Sequence, residues 1–366
     1  MVETLGLALV FAGGAEAHSA PPRARVLRRS WRGYKRTYVK RGGRVVDPRN
    51  GGISTSEGQA YGMLRAVWID DQRTFRKLQA WTLDELQGGD PVALPAWKWV
   101  DGAVADPQPA SDADQLMAYA LLLAWERWGD EADKRQALGL MTAVWDHETT
   151  TVGARRVVVP GPWALTEDPL PLNPSYFLPF CWRAFADVDP SHPWMRLVEQ
   201  AYDAFADYAA PSGLPRDWVY VDRVTGELQA PPEGGKKDPD HHGFEAFRTA
   251  WTLALEVAWY DEARARALLQ PYADLGRGWH TEGRIPGVIQ PDGTAAVDWG
   301  YPGFYGALLS AWAVARPNDV DALYEQEIET VKRLGGWADR EDYYSQNWIW
   351  FGLAAWTGVA QPPVGT

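Results

Sequence analysis

Apolar residues recur along most of this chain at three- and four-residue intervals, the spacing that lays one face of an α-helix against a core. The pattern predicts helices over 58–69, 74–86, 114–128, 134–145, 193–208, 245–260, 262–275, 303–315, 320–334 and 345–356. In 114–128 the stripe is Met117, Leu121, Ala124 and Trp128. Short polar turns such as Trp128-Gly-Asp-Glu-Ala-Asp133 and Tyr260-Asp-Glu262 join several helices into pairs. Longer loops over 87–108, 157–173 and 211–242 separate the pairs, and they carry β-prone fragments at 156–159 and 218–222. Strand and helix do not alternate in a sustained way, which argues against a parallel α/β sheet. No repeat is visible in the sequence itself, so this is not an evident solenoid. Repeated helical hairpins with long loops between them predict an all-α fold, a toroid whose inner helices are the apolar, alanine-rich ones.

Composition adds scale. A chain of 366 residues with 46% hydrophobic content can bury a large core. No linker splits it, and residues 18–366 are expected to form one domain. Residues 1–17 resemble a secretory signal: an apolar run over 5–14 precedes Ala15-Glu16-Ala17, a small-residue cleavage pattern, although Glu3 stands where a basic residue is expected. A periplasmic or secreted location follows as an expectation. No stretch is long and apolar enough to span a membrane.

The net charge of −12 argues against a nucleic-acid or anionic-lipid partner. The basic stretch over 23–49 interleaves Trp31, Tyr34 and Tyr38 at helical spacing, and it reads as an amphipathic helix with a charged outer face. The single cysteine, Cys181, allows no internal disulfide and no two-cysteine metal site. The 21 Trp and 15 Tyr are expected mostly in the core, with some free to stack on sugar rings.

Three acidic positions stand at helix starts. In Thr55-Ser-Glu-Gly-Gln-Ala-Tyr-Gly-Met63, Ser56 and Gln59 have the spacing of a capping box, so a helix is expected from Ser56 with Glu57 in its first turn. Gly58 and Gly62 follow one turn apart. Each costs a helix about 1 kcal/mol relative to alanine, which predicts a close approach by a backbone or a ligand. In the run from Ala110 to Ala120, Ser111 or Asp112 can cap a helix and Asp114 lies in its first turn; the plain reading of Asp112 is an N-cap. In Gly243-Phe-Glu-Ala-Phe-Arg248, Glu245 and Arg248 share a helical face, and the plain reading is a surface ion pair of little worth.

Separate acids gathered at one end of a helical barrel suit cleavage of a glycosidic bond. One carboxyl must hold a proton for the leaving oxygen, and another must be ionised. Glu57 then faces a conflict, because a helix N-terminus lowers a carboxyl pKa. Desolvation or repulsion from an acid such as Asp112 has to win. His241-His242 has no further His or Cys at ligand spacing, so it is read as a loop pair near the cleft, and no metal is expected. No nucleophile-elbow sequence supports a Ser-His-Asp triad.

The segment Ser56 to Met63 resembles the general-acid motif of family-8 glycoside hydrolases, and Ala110 to Trp128 is similar to that family's signature. Val45-Val-Asp-Pro48, Leu94-Pro-Ala-Trp97, Asn173-Pro-Ser-Tyr176, Asp217-Trp218 and Phe244-Glu-Ala-Phe-Arg248 fall in the family's order, so the resemblance runs from about Trp31 to Trp356. Within the family the chain resembles the periplasmic endoglucanases of bacterial cellulose-synthesis operons. The resemblance implies an (α/α)6 barrel and an inverting endo-β-1,4-glucanase that needs no cofactor. It implies Glu57 as the general acid and Asp112 as the residue that binds and distorts the sugar at the cleavage point. Trp97, Tyr176, Trp218 and Tyr61 would contact substrate, and Arg248 would hold the base or the sugar. Cellulose-synthase machinery is the partner it suggests.

One position departs from the family pattern: Glu245 and Phe244 stand where Asp and Tyr are usual. Glu245 remains the expected base, with Asp240 and Asp238 as alternatives. Chitosan, xylan or mixed-linkage glucan remain alternative substrates, and a weakly active or non-catalytic glucan-binding protein an alternative role.

Overall fold

Two kinds of helix alternate along the chain, and the difference between them is burial. The computed structural model describes residues 20–236 and 238–363. Its helices are α1 (Ala20–Thr37), α2 (Ser56–Trp68), α3 (Gln72–Glu85), α4 (Ser111–Trp128), α5 (Glu131–Glu148), α6 (Pro179–Val188), α7 (Trp194–Asp207), α8 (Arg248–Tyr260), α9 (Ala263–Leu268), α10 (Gln270–Glu282), α11 (Pro302–Ala315), α12 (Val320–Leu323) and α13 (Tyr343–Trp356). A π-helical turn, Tyr324–Glu329, continues α12.

α2, α4, α6, α8, α11 and α13 form the inner set. α4 is buried without a break from Ser111 to Ala124, and α11 from Gly303 to Trp312. A helix apolar all round must be enclosed by protein on every side, and these helices pack in sequence as a ring, α2 on α4, α4 on α6, α6 on α8, α8 on α11 and α11 on α13. The ring closes between α13 and α2. There Arg65 donates to Asn347 Oδ1 at 2.9 Å, and the ring of Tyr61 meets that of Trp348 edge-on at 5.7 Å. The outer helices cover them: α3 lies on α2, α5 on α4, α7 on α6, α9 on α8, α10 and α12 on α11, and α1 on α13. The fold is an (α/α)6 barrel with a single buried cluster running from Leu27 to Ala360. Among the described residues no helix is long and apolar enough to cross a membrane. The signal-like segment 1–17 lies outside the described residues.

Local sequence explains most element boundaries. In α1, Leu27, Trp31 and Tyr34 face inward, while Arg25, Arg28, Arg29, Arg32 and Arg36 are exposed, as an amphipathic helix requires. Cys181 is fully buried in α6. The periodicity singles out no helix over α6, a short helix of ten residues that buries Phe180, Cys181, Ala184 and Phe185 and turns Arg183 and Asp187 outward. The span 262–275 is two helices that meet near Leu269, just before Pro271, whose ring cannot sit in a helix interior. The span 320–334 ends in the hairpin that follows the π-helical turn.

Two expectations at α2 are corrected. The N-cap is Thr55, whose Oγ1 accepts from Gly58 N at 3.0 Å. Gln59 does not close a capping box, because it is buried and turned away from the helix start. Its Oε1 accepts from Val45 N at 2.6 Å, and its Nε2 donates to Gly43 O, Leu78 O and Thr82 Oγ1. Gly58 and Gly62 admit neither a backbone nor a ligand. A Cβ on Gly62 would stand 3.0 Å from Leu78 Cδ1 and 3.4 Å from Val45 Cγ2, so side chains fill the space. The close backbone approach lies elsewhere, between α11 and α13: a Cβ on Gly352 would fall 1.7 Å from Gly306 O.

Short antiparallel strands sit between the helices. β1 (Ser54–Thr55), β2 (Lys98–Val100) and β3 (Ala103–Asp106) form one sheet, β4 (Thr149–Val152) and β5 (Arg155–Val158) a hairpin, and β6 (Leu170–Leu172), β7 (Val219–Val221) and β8 (Leu228–Gln229) another sheet. β9 (Lys332–Arg333) pairs with β10 (Gly336–Trp337). β5 and β7 fall on the two β-prone fragments. The β1–β2 pair brings Trp97 beside the start of α2, with Ser56 N donating to Trp97 O at 3.0 Å.

Candidate active site

The inner helices α2, α4 and α8 present their N-terminal ends to one another, and each carries a charged group there. On α4 the cap position is Ala110, which contributes no side-chain bond, and Ser111 Oγ is spent on Val159 O. Asp112 is therefore not an N-cap. Its Oδ1 accepts from Ala113 N at 2.9 Å, and its Oδ2 accepts from Arg248 Nη1 at 2.8 Å.

Arg248 opens α8, and Glu245 lies in the turn before it rather than within the helix. Asp217 holds that turn: its Oδ1 accepts from Gly243 N at 3.0 Å, Glu245 N at 3.0 Å and Ala246 N at 2.7 Å. A Cβ at position 243 would stand 2.6 Å from Asp217 Oδ2, which accounts for the glycine. Burial pushes the Asp217 carboxyl up to about 6, against the pull of those three amides.

The Arg248 side chain is only 5% exposed. An unpaired charge so placed would be very costly, and three carboxylates surround it. Nη1 reaches Asp112 and, at 3.4 Å, Glu57 Oε2; Nη2 pairs with Glu245 Oε2. The guanidinium also lies 5.0 Å from the Tyr176 ring. The Glu245–Arg248 pair is thus not a plain surface ion pair: Arg248 is buried at the centre of the network and Glu245 is half-buried at its edge.

Glu57 accepts from Tyr343 OH at Oε1, and from Tyr61 OH at 3.2 Å at Oε2. Burial, and then the charge of Asp112, push its carboxyl up to about 7, while Arg248 and Tyr343 pull the other way. Desolvation therefore outweighs the helix terminus. Glu245 takes a second bond from Asn173 Nδ2 at 3.0 Å. Both of its side-chain contacts fall on Oε2, so Oε1 is left for another group. Asp238 and Asp240 make no side-chain bond to Arg248, Glu57 or Asp112; Asp238 is exposed in a left-handed turn at φ 46°. A carboxyl that keeps its proton near neutrality beside carboxylates fixed by an arginine can carry out acid and base chemistry in one site.

A cleft of about 620 Å³ opens over Glu57, walled by Trp97, Tyr301, Tyr343, Tyr344 and Arg49. Tyr176, Trp218 and Trp163 form a separate aromatic row, with ring centroids 6.2 Å apart for Tyr176–Trp218 and 6.5 Å for Trp163–Trp218. Lys236 Nζ stands 4.4 Å over the Trp218 ring. Tyr61 is 1% exposed, so it lies beneath the acid and not on the cleft wall. A hollow of about 440 Å³ lined by Arg155, Asp207, Tyr208 and Glu227 includes none of these groups. His242 is buried, with Nδ1 on Pro215 O at 2.9 Å, and burial lowers its pKa to about 4. Among the described residues no group of three or more His, Cys, Asp or Glu could hold a metal ion.

Tyr343, Asn173 and Asp217 were assigned no role from sequence. Asn173 and Asp217 stand in segments that already resembled family motifs, but nothing local ties either to Glu245. The Tyr343-Tyr344 doublet just before Ser345 was the one local signal, two hydroxyls at the mouth of a helix.

A family model described as "Glycosyl hydrolases family 8" matches residues 4–347. The chain is 32% identical over 248 residues to an endoglucanase of Cellulomonas uda, across 66% of this chain and 66% of that protein, just under two thirds of the relative's length. It is 31% identical over 293 residues to an endoglucanase of Xanthomonas axonopodis pv. citri, across 77% of this chain and 74% of that protein. The solved structure of an endo-1,4-D-glucanase from Vibrio fischeri ES114 superposes with a TM-score of 0.78 at 25% identity, covering 89% of this chain and 93% of the other. The chain belongs to the glycosyl hydrolases of family 8.

Proposed function

We propose that this protein is an endo-acting β-1,4-glucanase that inverts the anomeric carbon. The observation that carries this reading is the convergence of Glu57, Asp112 and Glu245 on one buried guanidinium, Arg248, at the end of the barrel, with burial holding the Glu57 carboxyl up at about 7. Glu57 donates its proton to the glycosidic oxygen as the bond from the anomeric carbon to that oxygen breaks. Glu245 takes a proton from water as the water oxygen bonds to the anomeric carbon from the opposite face. The proton gained by Glu245 leaves to solvent and Glu57 is reprotonated, which closes the cycle. Arg248 and Asn173 orient Glu245 through Oε2, and Oε1 receives the water. Asp112, fixed by Arg248, holds the sugar ring at the cleavage point, and Trp97, Tyr176 and Trp218 offer faces to neighbouring rings.

Residues 18–366 act on this reading as one catalytic domain. Export to the periplasm or beyond, and work beside cellulose-synthase machinery, belong to the same proposal. The decisive experiment incubates the purified protein and its Glu57→Gln variant with carboxymethylcellulose, chitosan, xylan and mixed-linkage glucan. Release of new reducing ends from carboxymethylcellulose, lost in the variant, is expected. Cleavage of another polymer alone would replace the substrate, and no cleavage at all would leave only a binding role.

A further inference from the structure

Two aromatic side chains are the most exposed Phe, Tyr or Trp rings among the described residues. Among the described residues, Phe244 and Trp299 are the only aromatics in the set of exposed large apolar side chains, at 42% and 43%. They are also neighbours, with ring centroids 6.3 Å apart and planes tilted by 35°. Scattered exposed apolar residues need no explanation, but the two most exposed of these rings among the described residues standing side by side do.

Their position ties them to the chemistry. Phe244 directly precedes Glu245, and its carbonyl accepts from Tyr344 OH at 2.8 Å. Tyr301 meets the Phe244 ring edge-on at 4.9 Å. Tyr301 and Tyr344 both wall the cleft over Glu57, so the exposed pair extends that wall beyond Tyr301.

The Trp299 indole is also seated. A Cβ on Gly287 would stand 2.4 Å from Trp299 Cζ3, so the ring lies on backbone that only glycine leaves bare. Gly287 N donates to Trp299 O at 2.7 Å, and Ala296 N to Val288 O at 3.0 Å, which ties the two sides of the loop together. A fixed indole with one side on backbone and the rest open is a platform, because little side-chain entropy remains to be lost when a ligand covers it.

We infer that Phe244 and Trp299 form a sugar-stacking subsite for a glucan chain, beyond the cleavage point on the Tyr301 side of the cleft. The apolar C–H face of a β-linked pyranose matches an aromatic face, and continuity with the cleft selects a long glucan over any other occupant. The inference rests on the glucanase reading, and its test is separable from that reading because it uses binding.

In the Glu57→Gln background, which cannot turn over, titration calorimetry measures Kd for cellotriose and cellohexaose. Adding Trp299→Ala is expected to weaken cellohexaose about five- to tenfold, with a smaller change for cellotriose, on the scale of one aromatic contact. Trp299→Phe, which keeps an aromatic face, is expected to recover part of the loss. Equal effects on both sugars, or none on cellohexaose, would overturn the subsite. So would a wild-type dimer in light scattering that Trp299→Ala dissolves, since a second copy would then be the occupant. If cellohexaose binds through Trp299 but no polymer is cut by the wild type, the subsite stands and the glucanase reading falls.

Discussion

The hydroxyl of Tyr343, on the first residue of α13, donates to Glu57 Oε1 in the first turn of α2. The bond crosses the seam where the ring of inner helices closes, and it sets how firmly the acid keeps its proton. A donor to the ionised form lowers a carboxyl pKa, and Tyr343 is among the groups pulling Glu57 down against burial. With Glu57 at about 7, the wild-type rate should fall on the alkaline side as pH passes through neutrality, because the general acid loses its proton there. In Tyr343→Phe the Glu57 pKa should rise, so this alkaline limb should move to higher pH. Profiles of kcat/KM against pH for both proteins check it; a limb that moves to lower pH in the variant would show that Tyr343 does not act on Glu57 in this way.

Arg248 neutralises a cluster that would otherwise repel itself. In Arg248→Met, Asp112, Glu57 and Glu245 lose their shared cation, and breaking a buried pair from one side costs about 3–5 kcal/mol. Part of that cost is relieved when the carboxyls take up protons. We expect kcat to drop by at least about a hundredfold, together with a larger fall in melting temperature from pH 5 to pH 7 than wild type shows. Thermal unfolding at the two pH values separates the lost charge from simple misfolding.

Behind Asp112 lies a second carboxyl pair. Asp114 and Glu148 are fully buried, their carboxyl oxygens have no other hydrogen-bond partner, which leaves a bond between the two carboxyls as the way to satisfy them, and burial raises both pKa values well above the ordinary carboxylate range. Two carboxyls can share such a bond only if one is protonated. A raised folded pKa stabilises the fold below the unfolded value, near 4–4.5, and that contribution is lost as pH rises towards the folded pKa. One such proton implies a loss of up to about 1.4 kcal/mol per pH unit. Glu148→Gln keeps a donor for Asp114 without needing a proton. Urea unfolding between pH 5 and 8 should show a shallower fall of stability with pH in this variant than in wild type.

Glycines in the inner helices should respond in opposite ways to alanine. At Gly352 the new Cβ would meet the Gly306 carbonyl at 1.7 Å, which is backbone and cannot step aside. Gly352→Ala should therefore separate α11 from α13 and cost about 3 kcal/mol or more. At Gly62 the obstacle is Leu78 Cδ1 at 3.0 Å, the end of a flexible side chain, and alanine gains about 1 kcal/mol of helix propensity. Gly62→Ala should be near neutral. Denaturant midpoints of the two variants decide it.

Much of the barrel was legible in the chain because its period is local. Helix pairs such as α4–α5 follow from apolar spacing, and the basic stretch over 23–49 is an amphipathic helix only as far as Thr37, after which the chain turns into the Val39–Val45 bridge. Legibility failed where a helix is short, as in the ten residues of α6, and where a local signal had a competing partner, as with Gln59, whose amide is taken by Val45, Gly43, Leu78 and Thr82. At the site, the sequence by itself determined that Glu57 and Asp112 stand in the first turns of helices and that Glu245 stands near a third helix start, which the structure puts three residues later at Arg248. It could not determine that those starts face one another, because three helices widely separated in sequence meet only when the ring closes. The tertiary structure decided the rest. It made Arg248 the shared cation of three carboxylates, bound Glu245 to Asn173 and its turn to Asp217, placed Tyr61 beneath Glu57 and Tyr343 against it, and let burial outweigh the helix terminus in fixing the acid near neutrality. Those outcomes depend on desolvation and, apart from the Tyr61–Glu57 and Glu245–Arg248 pairs, on contacts between residues tens to hundreds of positions apart, which no local pattern encodes.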